Sequence, residues 1–284
     1  MEIKTYFDEG TSTFTYLIWD EQSRHAAIID PVLNLDYKSG HTGTESADLT
    51  IADLRQLELN LDYILETHAH ADHISAAPYV KKLCGGQIGI GTKITLVQKT
   101  FKGIFNLPDL AIDGSQFDLL LDENSTLSLG ELKIKVLNTP GHTPACVSYH
   151  IGDVIFIGDT FFAPNYGTAR ADFPGGNAGE LYKSLQHLLS FPDETRLFLC
   201  HDYPEAGEKP QHVHTVAEQR NNIHLSSGES DKDFIQLRED RDSALDVPLL
   251  ILPSIQVNIN AGELPVPEDN GVAYLKLPLN TLAK

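Results

Sequence analysis

Four side chains of metal-binding type fall within six positions, His68-Ala69-His70-Ala71-Asp72-His73, directly after the apolar run Leu61 to Leu65. That run is short and rich in β-formers, which predicts a buried strand ending at Glu66 or Thr67. The histidines then occupy a loop at the carboxyl end of a strand, where open α/β sheets place their ligands. Neutral imidazole is the commonest protein metal ligand, and a carboxylate adds a hard oxygen donor. Three histidines and an aspartate in this order rarely serve packing alone, so the stretch reads as a metal site.

The same arrangement recurs along the chain. Leu132 to Leu137 alternates as a half-buried strand should and runs into Asn138-Thr139-Pro140-Gly141-His142-Thr143-Pro144, a loop that presents His142. Cys146 to His150 and Val154 to Ile157 predict a hairpin over Gly152-Asp153, with Asp159 beyond its second arm. Arg196 to Cys200 predicts another buried strand, ending at His201, Asp202 and Tyr203. Strands that end in turn at His68, His142, Asp159 and His201 imply one rim shared above two sheets.

Elsewhere, Thr13 to Trp19 and Ala26 to Asp30 predict early strands, and Asn34 to Ala47 a polar loop containing His41. Helices are expected from an N-cap at Thr50 to about Leu59, from Ser75 to Gly85-Gly86, and over Glu180 to Leu189. After Thr215 the pattern predicts helices around Val216 to His224 and Phe234 to Arg241, then proline-rich extended segments. Residues 1–284 read as one domain, with 215–284 an extension packed on it.

Charge narrows the function. The chain carries 21 basic and 40 acidic residues, a net −19, which disfavours nucleic acid and anionic membrane surfaces as partners. An anionic substrate needs a local basic patch to overcome that field. Three cysteines without a C-x-x-C spacing argue for a reducing compartment and against a disulfide framework. With no signal-peptide pattern and no run near the ~18 apolar residues of a membrane span, a cytoplasmic, bacterial-type location is expected.

The ligand series from His68 through His73, His142, Asp159 and His201 resembles the metallo-β-lactamase superfamily. The resemblance implies an α/β fold, an αββα sandwich of two mixed β-sheets flanked by helices. Arg170-Ala171-Asp172-Phe173, Leu181-Tyr182-Lys183-Ser184, Cys200-His201-Asp202-Tyr203 and Gln256-Val257-Asn258-Ile259-Asn260-Ala261-Gly262 bring it closest to the persulfide dioxygenases. That branch implies one Fe(II) per chain on His68, His142 and Asp159, oxidising glutathione persulfide with O2 to sulfite and glutathione. His70, Asp72, His73 and His201 would then orient the ligands. Arg170 and Tyr203 are the expected catalytic and substrate-binding residues. The alternative is a binuclear zinc thioesterase of the glyoxalase II type, in which His70, Asp72, His73 and His201 help hold two Zn bridged by Asp159. A homodimer and a functional link to a rhodanese are open expectations of the same resemblance. Among the remaining histidines, His41, His150, His187 and His224 read as surface or satisfied side chains, while His212 and His214 lie within a loop's reach of the site.

Overall fold

The strand Thr13–Trp19 is buried at six of its seven residues, so it reads as a continuous apolar run, as a strand covered on both faces does. Its side chains alternate in what they meet. Tyr16 and Ile18 enter the core between two sheets, whereas Leu17 meets a layer of helices. The computed structural model describes residues 1–205, 207–225 and 230–281.

The strand lies second in a six-stranded mixed sheet ordered Glu2–Asp8, Thr13–Trp19, His25–Ile29, Asn60–Leu65, Gln87–Gly91 and Leu119–Leu121. The first three pair antiparallel. The next three add in parallel, each after a helical crossover of the kind parallel neighbours require: Glu45–Gln56, Ala77–Cys84 and Ile94–Ile104. A second six-stranded sheet runs Thr126–Leu129, Leu132–Asn138, Val147–Ile151, Val154–Phe156, Arg196–Phe198 and Val213–Thr215. Its one parallel pairing, Val154–Phe156 with Arg196–Phe198, is reached through the helix Ala178–Leu189. Inner faces of both sheets supply Ile29, Leu65, Val136, Tyr149 and Phe156 to the central core. The outer face of the second sheet packs Ile155 and Leu197 on Leu181, Leu185 and Phe234. The result is the expected αββα sandwich. Among the described residues no helix is long and apolar enough to cross a membrane.

Three expectations are corrected. Asn34 to Ala47 is no loop, because Val32–Asp36 pairs with His41–Gly43 in a small sheet that also takes Ile74–Ser75. The helix expected from Thr50 begins at Glu45. Thr50 sits in its buried stripe with Ala47, Ile51 and Leu54, while Glu45 and Asp48 place negative charge at the positive helix start. The tail is not all extended: Ile251–Asn258 is a helix, and Ile251, Ile255 and Val257 join the core beside the first sheet. Leu250 at its N-cap gives no side-chain cap, and Pro253 follows within the first turn. The start signals that sequence reading relies on are missing there.

The loop bearing His142 is wedged against a helix. Gly141 has φ +140°, and a Cβ there would lie 2.3 Å from Leu181 Cα and 2.4 Å from its backbone nitrogen. Gly141→Ala is therefore expected to lower stability by roughly 1–3 kcal/mol, read as a lower urea midpoint. An unchanged midpoint would show that the helix yields without cost.

Candidate metal centre and substrate cleft

Hydrogen bonds fix which nitrogen of each buried histidine is free. Asp30 leaves its strand at φ +50° with its carboxylate buried. It accepts from Thr67 N at 2.7 Å and from Thr67 Oγ1 at 2.8 Å. Thr67 Oγ1, its proton so committed, accepts at 3.0 Å from His68 Nδ1, leaving His68 Nε2 as a lone pair. Asp30 Oδ1 faces His70 Nε2 at 3.0 Å, which frees His70 Nδ1. His142 Nδ1 faces the Arg170 carbonyl at 2.9 Å, so it carries the hydrogen and Nε2 is bare.

These bare atoms converge. One ligand atom each from His68, His142 and Asp159 lies within a 4.8 Å spread, and those of His70, Asp72, His73 and His201 form a second such group. Asp159 Oδ2 is 3.7 Å from His142 Nε2 and 3.9 Å from His68 Nε2, and its Oδ1 is 3.5 Å from His201 Nε2. His68 Nε2, His70 Nδ1, His73 Nε2, His201 Nε2, Asp72 Oδ1 and Asp159 Oδ1 are buried without a hydrogen-bond partner. Unpaired buried polar atoms cost about 1–3 kcal/mol each. Six in one place fit a cation that they surround; without one, burial is outweighed by Asp30 and Glu66, which raise His70 well above the usual imidazole range, so that a proton stands where the ion would.

The electrostatics agree with such a cation. Burial, then the neighbouring His70 and His142, hold His68 well below the usual imidazole range, so it stays neutral and able to ligate. His201 gives its Nδ1 hydrogen to the Ser12 carbonyl at 3.1 Å. Its Nε2 then stands 2.9 Å from Asp72 Oδ2 without hydrogen-bond alignment. Burial opposes charge on this ring, but Asp72 and Asp159 outweigh it and push His201 up to about 9. Two carboxylates facing one nitrogen require positive charge there, from a proton or a metal. Metal-binding His and Asp clusters are thus present, built from the strand ends that the sequence singled out.

Beside them opens a cleft of about 670 Å³ lined by Asp72, His142, Asp159, Tyr166, Tyr203 and Arg170, among others. Tyr203 lies almost parallel to His201, with ring centroids 6.1 Å apart and planes at 13°, and stacks on Tyr166 at 4.9 Å. Burial, then Asp72 and Asp159, raise its phenol far above the usual range, so it remains a donor. Arg170 also lines the cleft, but its guanidinium is engaged. Nε and Nη2 clasp Asp172 at 2.6 and 2.8 Å, and Nη1 donates to the Asp246 carbonyl at 2.7 Å. Arg238 is likewise held, by Asp242 and the Thr168 carbonyl. Arg241, one helical turn on, reaches the same cleft. Among the described residues its guanidinium has no hydrogen bond or ion pair.

His224, expected at the surface or satisfied, is buried, lines the cleft and is satisfied at one nitrogen. Its Nδ1 accepts from Thr168 N at 2.9 Å, while among the described residues Nε2 has no partner. His212 and His214 stay outside, the first against Phe14 and Phe198, the second beside Glu218. Burial pushes the Cys146 thiol up to about 12 and raises that of Cys200 as well, while Cys200 Sγ also groups with Asp159 and His201. Sequence reading missed Asp30, Glu66, Thr13, His224, Arg241 and Asn258. Asp30, placed before Pro31 at a strand end, and Asn258, within the stretch Gln256 to Gly262 that carries the likeness, had a signal to read.

Residues 8–201 match the family model of the metallo-beta-lactamase superfamily. A "Probable metallo-hydrolase" of Burkholderia pseudomallei is 50% identical over 99% of the chain and 100% of its own length. "Glyoxylase B2" of Dictyostelium discoideum is 45% identical over 99% of the chain and 98% of its own length. Human mitochondrial "Persulfide dioxygenase ETHE1" is 29% identical over 71% of the chain and 68% of its length. The crystal structure of ETHE1 from Myxococcus xanthus superposes with a TM-score of 0.75 at 31% identity, covering 93% of the chain and 100% of that protein. The chain spans 65% of the length of three further bacterial relatives.

His224 generates a pH prediction. Burial, then Arg238 and Arg241, lower it to about 4, so between pH 6.5 and 4 the unfolded chain binds a proton that the folded one refuses. Stability must fall as pH drops through that window, by up to about 3 kcal/mol from this group. His224→Asn, which keeps an acceptor for Thr168 N, should lose correspondingly less stability between pH 7 and pH 4 in urea unfolding. Equal losses in the two proteins would remove this assignment.

Proposed function

The chain belongs to the metallo-beta-lactamase superfamily, and on that footing we propose that it is an iron(II)-dependent persulfide dioxygenase acting on glutathione persulfide. The observation that carries this reading is the company Asp159 keeps. Its Oδ2 groups with His68 and His142 and its Oδ1 turns to His201, while His70 groups with Asp72, His73 and His201 rather than with Asp159. Two imidazoles and one carboxylate make a face that leaves positions open for substrate and O2. When bound there, a ferrous ion supplies the one-electron chemistry by which O2 oxidises a sulfane sulfur. One O2 and one water are consumed per persulfide, and sulfite and thiol are released.

The chain's own residues do the rest. The Arg170 carbonyl and Thr67 hold His142 and His68 in the tautomers that aim Nε2 inward. Tyr203 keeps its phenolic proton for a hydrogen bond to the reacting sulfur, and with Tyr166 forms a flat apolar wall. Arg170 contributes its carbonyl and its clasp on Asp172. Arg241 is the cation left to meet a substrate carboxylate. The four-residue group favours the second reading, a binuclear zinc thioesterase of the glyoxalase II type, because it is complete enough to hold another ion.

Protein produced with ample iron should contain about one iron per chain, consume O2 with glutathione persulfide and release sulfite. Two zinc ions with hydrolysis of a glutathione thioester and no O2 uptake would overturn the dioxygenase reading. Arg241→Gln should raise KM for glutathione persulfide about 10-fold, the equivalent of ~1.4 kcal/mol, with kcat little changed. A persulfide without carboxylates should show no such difference, and an unaltered KM for glutathione persulfide would place its carboxylate elsewhere.

A further inference from the structure

The loop that carries His68 to His73 is fastened at both ends, but by different parts of the chain. Its entry is held by Asp30 on Thr67, and by Val147 N donating to the Thr67 carbonyl at 2.9 Å. Its exit pairs as Ile74–Ser75 with Val32–Asp36, and is also held by one side chain from the last turn of the helix Ile251–Asn258. Asn258 Nδ2 donates to the His70 carbonyl at 2.8 Å and to the His73 carbonyl at 2.7 Å, and Oδ1 accepts from Ser75 N at 2.9 Å. Asn258 is buried, and its partner His73 lies 185 residues earlier in the chain. The carboxamide uses both of its hydrogens and its oxygen on three backbone groups of one loop.

We propose that Asn258 is a positioning residue for the metal centre: by fixing the peptide planes of His70 and His73 it sets where His70, Asp72 and His73 point, and so sets metal affinity. Asparagine alone suits the task. Aspartate would turn a carboxylate toward two carbonyl oxygens, and glutamine is one methylene too long for all three contacts. The helix end is itself braced, since Gln98 Nε2 donates to the Ile259 carbonyl at 2.9 Å. Gly262, at φ +83°, also lets the backbone come so close to Ser75 that a Cβ would lie 2.9 Å from the Ser75 carbonyl oxygen. The proposal rests on the metal-centre reading and is independent of which substrate the cleft takes.

The test uses cobalt(II) as a spectroscopic probe of the metal-depleted full chain. Asn258→Ala is compared with the unaltered protein and with Gln256→Ala. Gln256 bonds the Leu252 and Lys276 carbonyls and Lys276 N, so its loss disturbs the same helix without touching the loop. Asn258→Ala should retain its far-ultraviolet circular dichroism, lose about 10- to 100-fold in cobalt affinity by chelator competition, and shift the visible cobalt bands. Gln256→Ala should keep affinity and bands. Asn258→Ser, which retains one donor, should fall between and decides the matter if the alanine variant does not fold. Wild-type affinity and spectrum in the Asn258 variants, or an equal loss in Gln256→Ala, would overturn the proposal, whatever the enzyme does with persulfides.

Discussion

A buried carboxylate in a left-handed backbone conformation, Asp30, is the interaction on which the metal rim depends. It stands on the strand next to the one that launches the histidine loop and takes two hydrogen bonds from Thr67 and one from His70. Burial alone would raise its pKa. The charge and hydrogen bond of His70, then the Thr67 donors, reverse this and hold it below the usual carboxylate range. Because Thr67 passes the constraint to His68, and Cys200 Sγ also approaches Asp30 at 3.7 Å, one group orients residues next to ligands from both sheets. Glu66, kept toward its neutral form by burial, shares His70 at 3.4 Å. An ion pair this deep adds little net stability, since desolvation offsets most of the attraction. Its effect is to fix directions.

On the substrate side, the same acidic chain solves the opposite problem. A net charge of −19 repels anions at long range, yet the cleft gathers Arg170, Arg238 and Arg241. Two of the three are neutralised by adjacent aspartates and act as braces, Arg170 for the loop that orients His142 and Arg238 for the wall at Thr168. Among the described residues this leaves Arg241 as the one unpaired guanidinium in a cleft whose other end is dense with carboxylates and imidazoles. Such a polarity would orient the anionic ligand proposed above end to end, its reactive part toward Asp159.

Much of this was legible in the sequence because strand ends announce themselves. Apolar runs that stop at His68, His142, Asp159 and His201 marked the rim, and the two-sheet sandwich followed from the likeness those residues carry. What could not be read depends on contacts between distant segments. For Arg170 the sequence leaves two readings equal, a cation for the substrate and an ion pair with Asp172, and the fold realises the ion pair. Whether His224 would be exposed or satisfied stayed open because its burial arises from Thr168, Gly167 and Arg238, which the fold alone brings together. The helix Ile251–Asn258 lacks both a capping side chain and an obvious start, and tertiary packing sustains it. His41–Gly43 failed as a strand on composition, since a polar run pairs only where a neighbour offers an edge, and Val32–Asp36 was obscured by Pro31, which reads as the end of a strand.

The grip of Asn258 on the histidine loop has a consequence for how the centre comes into being. A chain leaves the ribosome from its amino end, so the four donors at 68–73 emerge long before the side chain that shapes their peptide bonds. His142, Asp159 and His201 follow in turn, and residue 258 comes after all of them. If Asn258 shapes the loop as proposed, the seven donors reach their final arrangement only once the helix Ile251–Asn258 has docked, so binding and the docking of that helix would be linked equilibria.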